Sequence, residues 1–383
     1  MEKELELYIH IPFCVKKCAY CDFLSGPQNA DTIDRYVEAL VREILAYKGT
    51  TEGQRGISTL FFGGGTPSIL NPVQMKRIFR ALREVFCIED NAEITIEANP
   101  GTVTEEKLKT YRELGINRIS FGLQSANNEE LKLLGRVHTY EEFLDSYSMA
   151  RACGFENINV DLISAIPKQT LESWEDTLNK VVTLQPEHIS AYSLIIEEDT
   201  PFAEIYGAGK SKEADLPSEE EERRIYRRTE EILSRAGYRR YETSNYAKAG
   251  KECKHNLGYW ERKDYLGLGL GAASLVNNVR YKNIDDLKRY ISCNGIPSAI
   301  QVDREELTVT QQKEETIFLG LRKKEGISLA EFEKTFGRTV QACYGSRLIR
   351  MQEECLLEIE EGYLRLTERG VDVSNYVFVE LLS

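Results

Sequence analysis

The sequence predicts an α/β fold: a partial (β/α)6 TIM-like barrel followed by a C-terminal winged-helix-like α+β module. Three observations carry this. Apolar strand-like runs recur six times, each followed by an amphipathic stretch, the pattern of a parallel sheet covered by helices. Six such units fall short of the eight that close a full barrel. Past residue 300 the alternation gives way to helices and a hairpin, so 1–300 reads as the barrel with its extension and 301–383 as a second domain.

Strands are expected over 6–12, 58–65, 93–100, 118–125, 158–167 and 188–196. They are rich in Ile, Phe, Val and Leu and mostly bounded by Gly, Pro, Asn or Ser. Helices are expected over 32–47, 72–86, 104–114, 140–153 and 171–184, where apolar positions recur three and four apart. Thr102, with Glu105 three residues on, reads as a capping box, and Thr170 as an N-cap. An open barrel of this kind leaves a lateral gap for a large substrate. The acidic stretch "EEDTPFAEIYGAGKSKEADLPSEEEE" reads as a surface loop or lid leading into a helix over 218–235. A short strand in "YRRYETSNY", the segment "KECKHNLGYW" and the small-residue run "YLGLGLGAASLV" complete the first domain. The last segment gives two helices, a short hairpin and a final helix.

The net charge of −13 argues against a nucleic-acid backbone as the main partner. The terminal module is acidic too, with Glu353, Glu354, Glu358, Glu360 and Glu361 close together. Packing or partner docking is therefore the stronger reading of its winged shape, and DNA binding the weaker. No apolar run reaches the length of a membrane span, and the N-terminus lacks a basic region followed by an apolar one. A cytoplasmic protein is expected. Nine cysteines in such a chain are not a disulfide framework. Cys87, Cys153, Cys293, Cys343 and Cys355 read as reduced, small hydrophobes.

Cys14, Cys18 and Cys21 are different. Their spacing is C-x3-C-x2-C, on the loop that leaves the first strand. A structural zinc site wants four ligands, so His10 or a distant residue would have to be the fourth. An iron–sulfur cube has four iron corners, and three thiolates leave one iron open to an outside ligand. The next strand ends in "GGGTPS", whose glycines let backbone approach a ligand; no Lys-Ser or Lys-Thr follows, which rules out a Walker A loop. Glu97, Gln124, Arg136 and Asp161 follow at or just beyond successive strand ends. Each alone reads as a cap or an ion-pair partner. Four in succession on one rim point to a site.

This arrangement resembles the radical S-adenosylmethionine (SAM) enzymes. The resemblance implies a 4Fe-4S cluster whose open iron is chelated by the amino and carboxylate groups of SAM. An electron from the cluster then cleaves the sulfonium to give a 5′-deoxyadenosyl radical. "YIHIPFC", "GGGTPS", "SFGLQS", "DLISAIPKQT" and the C-terminal module further resemble the oxygen-independent coproporphyrinogen III oxidase family. That family includes the oxidase itself and a similar heme chaperone. The resemblance implies that Tyr8, Gly64 and Glu97 touch the cluster-bound SAM. It also implies that Tyr20, Gly65, Thr66, Gln124, Arg136, Asp161 and Ile195 match positions that contact a second SAM in the oxidase.

Three features favour the chaperone. Phe23 stands where the oxidase usually has another cysteine, and only six residues precede "LYIHIPFC" where the oxidase has a long extension. "HNLGYW", residues 255–260, resembles the chaperone's H-N-x-x-Y-W motif. Imidazole is a good axial ligand for heme iron, Tyr259 and Trp260 suit a porphyrin face or edge, and Cys253 offers a thiolate alternative. The competing reading of His255 is a buried histidine beside an aromatic core pair. Ala273 stands where relatives commonly have a histidine, and Ala249 where they often have a proline. The expected function is a heme chaperone that binds heme and a 4Fe-4S cluster with SAM and delivers heme to client proteins. The alternative is the oxidase, which converts two propionates of coproporphyrinogen III to vinyls. A homodimer bridged through the cluster or the C-terminal module stays open.

Overall fold

A computed structural model describes residues 4–293 and 295–382. Six strands form its centre: β1 (Leu5–Ile11), β2 (Gly56–Gly64), β3 (Cys87–Ala98), β4 (Arg118–Gln124), β5 (Ile158–Ser164) and β6 (His188–Ser193). Each pairs in parallel with the next. Residues such as Leu7, Ile9, Phe62, Ile96, Phe121 and Val160 are buried in one continuous core, as expected of strands covered on both faces. The sheet is extended at both ends. On one side come β7 (Arg239–Arg240) and β8 (Asn245–Ala247). On the other come β9 (Tyr265–Leu268), β10 (Ala273–Val276), β11 (Val279–Asn283) and β12 (Gln301–Glu306). The order is β12-β11-β10-β9-β1-β2-β3-β4-β5-β6-β8-β7, so the barrel is open.

The helices lie close to their expected positions, at Ala30–Ala46, Pro72–Val85, Glu105–Glu113, Tyr140–Ala152, Leu171–Thr183 and Glu219–Arg235. The capping expectation at Thr102 needs correction. Thr104 caps the helix by accepting from the Lys107 amide, while the Thr102 hydroxyl donates to the Asn99 carbonyl. Thr170 caps its helix as expected. The acidic stretch after β6 is not all surface loop. It contains the helix Pro201–Tyr206, whose Phe202 and Tyr206 are buried with Leu134, Ile163 and Ile166.

The C-terminal module has its own core, including Ile317, Phe332, Leu348, Leu364 and Phe378. Helix Val309–Gly320 is followed by β13 (Ile327–Ser328) and helices Leu329–Phe336 and Val340–Glu353. The hairpin β14 (Leu357–Glu360) and β15 (Tyr363–Leu366) follows, in sheet order β13-β15-β14. This is the winged-helix arrangement, closed by helices Glu368–Asp372 and Ser374–Leu382. The Lys324 amide donates to the Tyr241 carbonyl and Arg262 pairs with Glu315, which ties the module to the barrel. Among the described residues no helix is long and apolar enough to cross a membrane.

Candidate functional site

The C-terminal ends of the strands surround a cavity of about 390 Å³. Its lining contains the cysteine loop and nine of the other candidates, with Tyr8 beside it. The cysteine loop leaves β1 and is pinned at both ends: the Cys14 amide donates to the Gly26 carbonyl, and the Ala19 amide to the Leu134 carbonyl. Cys14, Cys18 and Cys21 all face the cavity. Burial pushes the Cys14 and Cys21 thiols above their ordinary range, and neighbouring thiols add to the effect. Bare thiolates are therefore disfavoured here, and a bound cationic metal centre would restore them.

The glycine turn is stitched against that loop. The Gly65 amide donates to the Ile11 carbonyl and the Thr66 amide to the Phe13 carbonyl. Gly64 has φ +111°, and a Cβ there would stand 2.6 Å from His10 Cε1. A Cβ on Gly65 would stand 2.6 Å from the Phe13 carbonyl oxygen. That neighbour is backbone and cannot rotate away. Gly65→Val is expected to displace the cysteine loop, lower iron and sulfide content after anaerobic reconstitution, and cost about 1–3 kcal/mol of stability. Normal cluster content in a variant of unchanged thermal midpoint would refute this.

Glu97, at the end of β3, accepts from the Gly64 amide at 3.2 Å. Burial pushes its carboxyl up to about 8, with Asp161 adding to the shift. Asp161 on β5 accepts from Ser120 Oγ and Asn159 Nδ2, both at 2.8 Å. Arg136 donates to the Gly122 carbonyl at 2.7 Å, and its Nη1 lies 3.5 Å from Cys18 Sγ. Gln124 ends β4 with φ +74° and lines the cavity. Tyr20 packs edge-on against Phe202, and Ile195 is exposed at the mouth. Thus Tyr20, Gly64, Gly65, Thr66, Glu97, Gln124, Arg136, Asp161 and Ile195 converge with the three cysteines on one cavity.

Tyr8 sits beneath the glycine turn, its hydroxyl 3.0 Å from His10 Nδ1. The other His10 nitrogen, Nε2, lies 3.0 Å from the Leu24 carbonyl. Asn99 is a rim residue that sequence reasoning missed. Its Nδ2 donates to Thr66 Oγ1 at 2.7 Å, and its Oδ1 accepts from Arg136, joining three rim segments. The Asn-Pro-Gly turn closing the third strand was the available signal.

His255 is placed elsewhere. It lies inside the barrel on the helix Lys254–Trp260 and is 1% exposed. Its Nδ1 is 2.6 Å from Thr59 Oγ1, its Nε2 is 3.0 Å from the Tyr259 hydroxyl, and its ring stacks on Phe61. Burial, with Arg118 nearby, lowers its pKa to about 3, so the ring is neutral. Cys253 is also buried, 3.5 Å from Glu93 Oε1, with its thiol pushed up to about 12. Heme ligation through His255 would require its present hydrogen bonds to break.

Three thiols on one loop, a glycine cradle and a polar rim define a radical SAM protein. The Radical SAM superfamily profile matches residues 8–181, and the HemN C-terminal domain profile matches 307–373. The class binds a 4Fe-4S cluster and SAM, and the donor set here fits both. Among the described residues, no three His, Cys, Asp or Glu side chains converge on one ion. A cube does not ask for that, because each thiolate binds a different iron. When bound, the cluster supplies an electron and an open coordination position.

Within this class the chain belongs to the HemW family. It is 36% identical over 382 residues to the "Heme chaperone HemW" of Lactococcus lactis, covering 100% of this chain and 98% of the relative. It is 38% identical to the protein of the same name from Bacillus subtilis, covering 97% of each. Among solved structures, coproporphyrinogen III oxidase (HemN) from Escherichia coli superposes with a TM-score of 0.85 at 27% identity. That match covers 100% of this chain and 91% of the other.

Proposed function

We propose that this protein is a cytoplasmic heme chaperone: it binds heme and a 4Fe-4S cluster with SAM, and passes heme to client proteins. The observation that carries this reading is the end-to-end similarity to proteins named as heme chaperones. Phe23 agrees with it, since it lines the cluster cavity where the oxidase usually has another thiol. The similarity to the oxidase structure supports the enzyme as the second reading.

In this reading Cys14, Cys18 and Cys21 hold the cluster. Gly64 and Glu97 receive the SAM ammonium, with Tyr8 supporting the turn from below. A cationic amine beside Glu97 would pull its carboxyl down and release a proton, so binding of SAM is linked to pH. Tyr20, Gly65, Thr66, Gln124, Arg136, Asp161 and Ile195 complete the wall, with room for further contacts to SAM. We give His255 a supporting role, holding the helix that carries Tyr259 and Trp260.

The test is a heme titration of the anaerobically reconstituted protein, followed by the Soret band. Coproporphyrinogen III, SAM and reductant are supplied in a parallel sample. Saturable heme binding with no decarboxylated product is expected. Product formation without saturable heme binding would hand the chain to the oxidase reading. His255→Ala separates ligation from support. A shifted Soret maximum marks a lost iron ligand, whereas a lower thermal midpoint with an unshifted band marks support.

A further inference from the structure

A second cavity, of about 460 Å³, lies between the barrel and the C-terminal module. Ile195 lines both cavities, so the two adjoin. Five basic side chains reach the second cavity, and four of them have carboxylate partners. Arg240 and Lys324 pair with Glu230, Lys323 with Glu261, and Arg365 with Glu358.

Arg322 is the exception. Among the described residues no carboxylate lies within ion-pair distance of it, and its Nε is buried without a hydrogen-bond partner. Its guanidinium lies over the Trp260 ring at 5.2 Å and the Phe318 ring at 4.8 Å. Burial lowers its pKa, with Glu242 as the only opposing charge of note. The two aromatic rings fix the plane of the guanidinium and supply cation–π attraction, but they satisfy none of its N–H donors. A half-buried, unpaired cation is costly unless an anion completes it. Leu321, Leu366 and Phe378 supply apolar wall beside it.

We propose that this cleft binds an amphiphilic carboxylate and, resting on the heme-chaperone reading above, that it receives a propionate of heme on Arg322. The geometry also gives the "HNLGYW" helix a task that its buried histidine does not need to perform as an iron ligand. Trp260 ends that helix and carries Arg322 on its face. Trp260 is thus a positioning residue for the cleft, and His255 anchors the helix from inside the barrel.

The test uses the cluster-loaded full chain. Heme and heme dimethyl ester, whose propionates are capped, are titrated into wild type, Arg322→Gln and Asn375→Trp. Asn375 lines the cleft from an exposed position on the helix Ser374–Leu382, so a large side chain there narrows the cavity with little effect on the core. Arg322→Gln is expected to weaken heme about 10- to 100-fold, the range of one charge-assisted hydrogen bond, and to leave the ester unchanged. Asn375→Trp should weaken both ligands. If Arg322→Gln fails to fold, as judged by circular dichroism and iron content, Asn375→Trp decides alone. Wild-type heme affinity in the folded variants would overturn the cleft and leave the chaperone reading standing. Equal loss of heme and ester in Arg322→Gln would overturn the carboxylate anchor. Absence of saturable heme binding in wild type would remove both readings together.

Discussion

Replacing Cys14, Cys18 or Cys21 by alanine, one at a time, is expected to give a folded chain without a 4Fe-4S cluster. The two halves of that outcome have separate causes. The fold rests on the strand core and its covering helices, and the cysteine loop lies above this core at the strand ends. Removing one sulfur from the loop forfeits little burial, so the thermal midpoint of the metal-free protein should move slightly. The cluster has no such reserve, because three thiolates hold three irons and the fourth is kept for SAM. Each loss opens a second iron to solvent and thiols. Iron and sulfide per chain, with the cluster absorption after anaerobic reconstitution, should fall towards background in all three variants. Full cluster content in any one of them would mean that another residue of the loop or rim is the ligand.

The parts of the site that were legible in the sequence share a physical origin. In a parallel sheet covered on both faces, polar residues at strand ends stand out against apolar runs. Glu97 and Gln124 were visible for that reason and Asp161 as a charge inside an apolar strand, and the structure brings all three to one cavity with the cysteines. The glycine turn was visible because only glycine fits where backbone packs on backbone, as at Gly65. Asn99 was not, since its value lies in contacts to Thr66 and Arg136, more than thirty positions away in each direction. The "HNLGYW" segment shows the limit most plainly. Histidine beside tyrosine and tryptophan suits a heme pocket and an aromatic core equally well. In the structure the ring is held by Thr59, which lies 196 residues from its partner His255. Local pattern also failed where local signals competed. Thr102 and Thr104 both offer a cap, and the one free of the Asn99 carbonyl and Ser68 takes the role. Helix Val340–Glu353 was not read from the sequence, although its buried Val340, Tyr344, Leu348 and Met351 recur three and four apart; the backbone leaves helical geometry at Gly345.

Glu6→Gln should markedly change the pH dependence of stability. Glu6 is 1% exposed, and neither carboxylate oxygen has a hydrogen-bond partner among the described residues. The neighbouring His255 Nδ1 is 3.8 Å away and belongs to a neutral ring, so it offers no counter-charge. Burial pushes the Glu6 carboxyl from 4.5 up to about 8, with Lys263 opposing the rise and Glu93, Glu261 and Glu4 adding to it. Between those values the folded chain holds a proton that the unfolded chain has released. Stability therefore falls as pH rises from 4.5 to 8, by about 1.4 kcal/mol per pH unit at most, and this loss levels off above the folded value. Glutamine keeps the shape and cannot ionise, so the variant lacks this decline. Glu43, raised to about 7 by burial, contributes a decline of the same sign in both proteins and cancels in the comparison. The gap between variant and wild type should widen in favour of the variant by a few kcal/mol from acid to mildly alkaline pH. Thermal midpoints across that range measure it. Parallel curves would show that water or a moved side chain already solvates Glu6. The packing argues otherwise, because a Cβ on Gly258 would stand 1.9 Å from Glu6 Oε1. The motif glycine and the buried acid occupy adjoining space under His255, and the carboxyl is expected to stay there protonated at neutral pH.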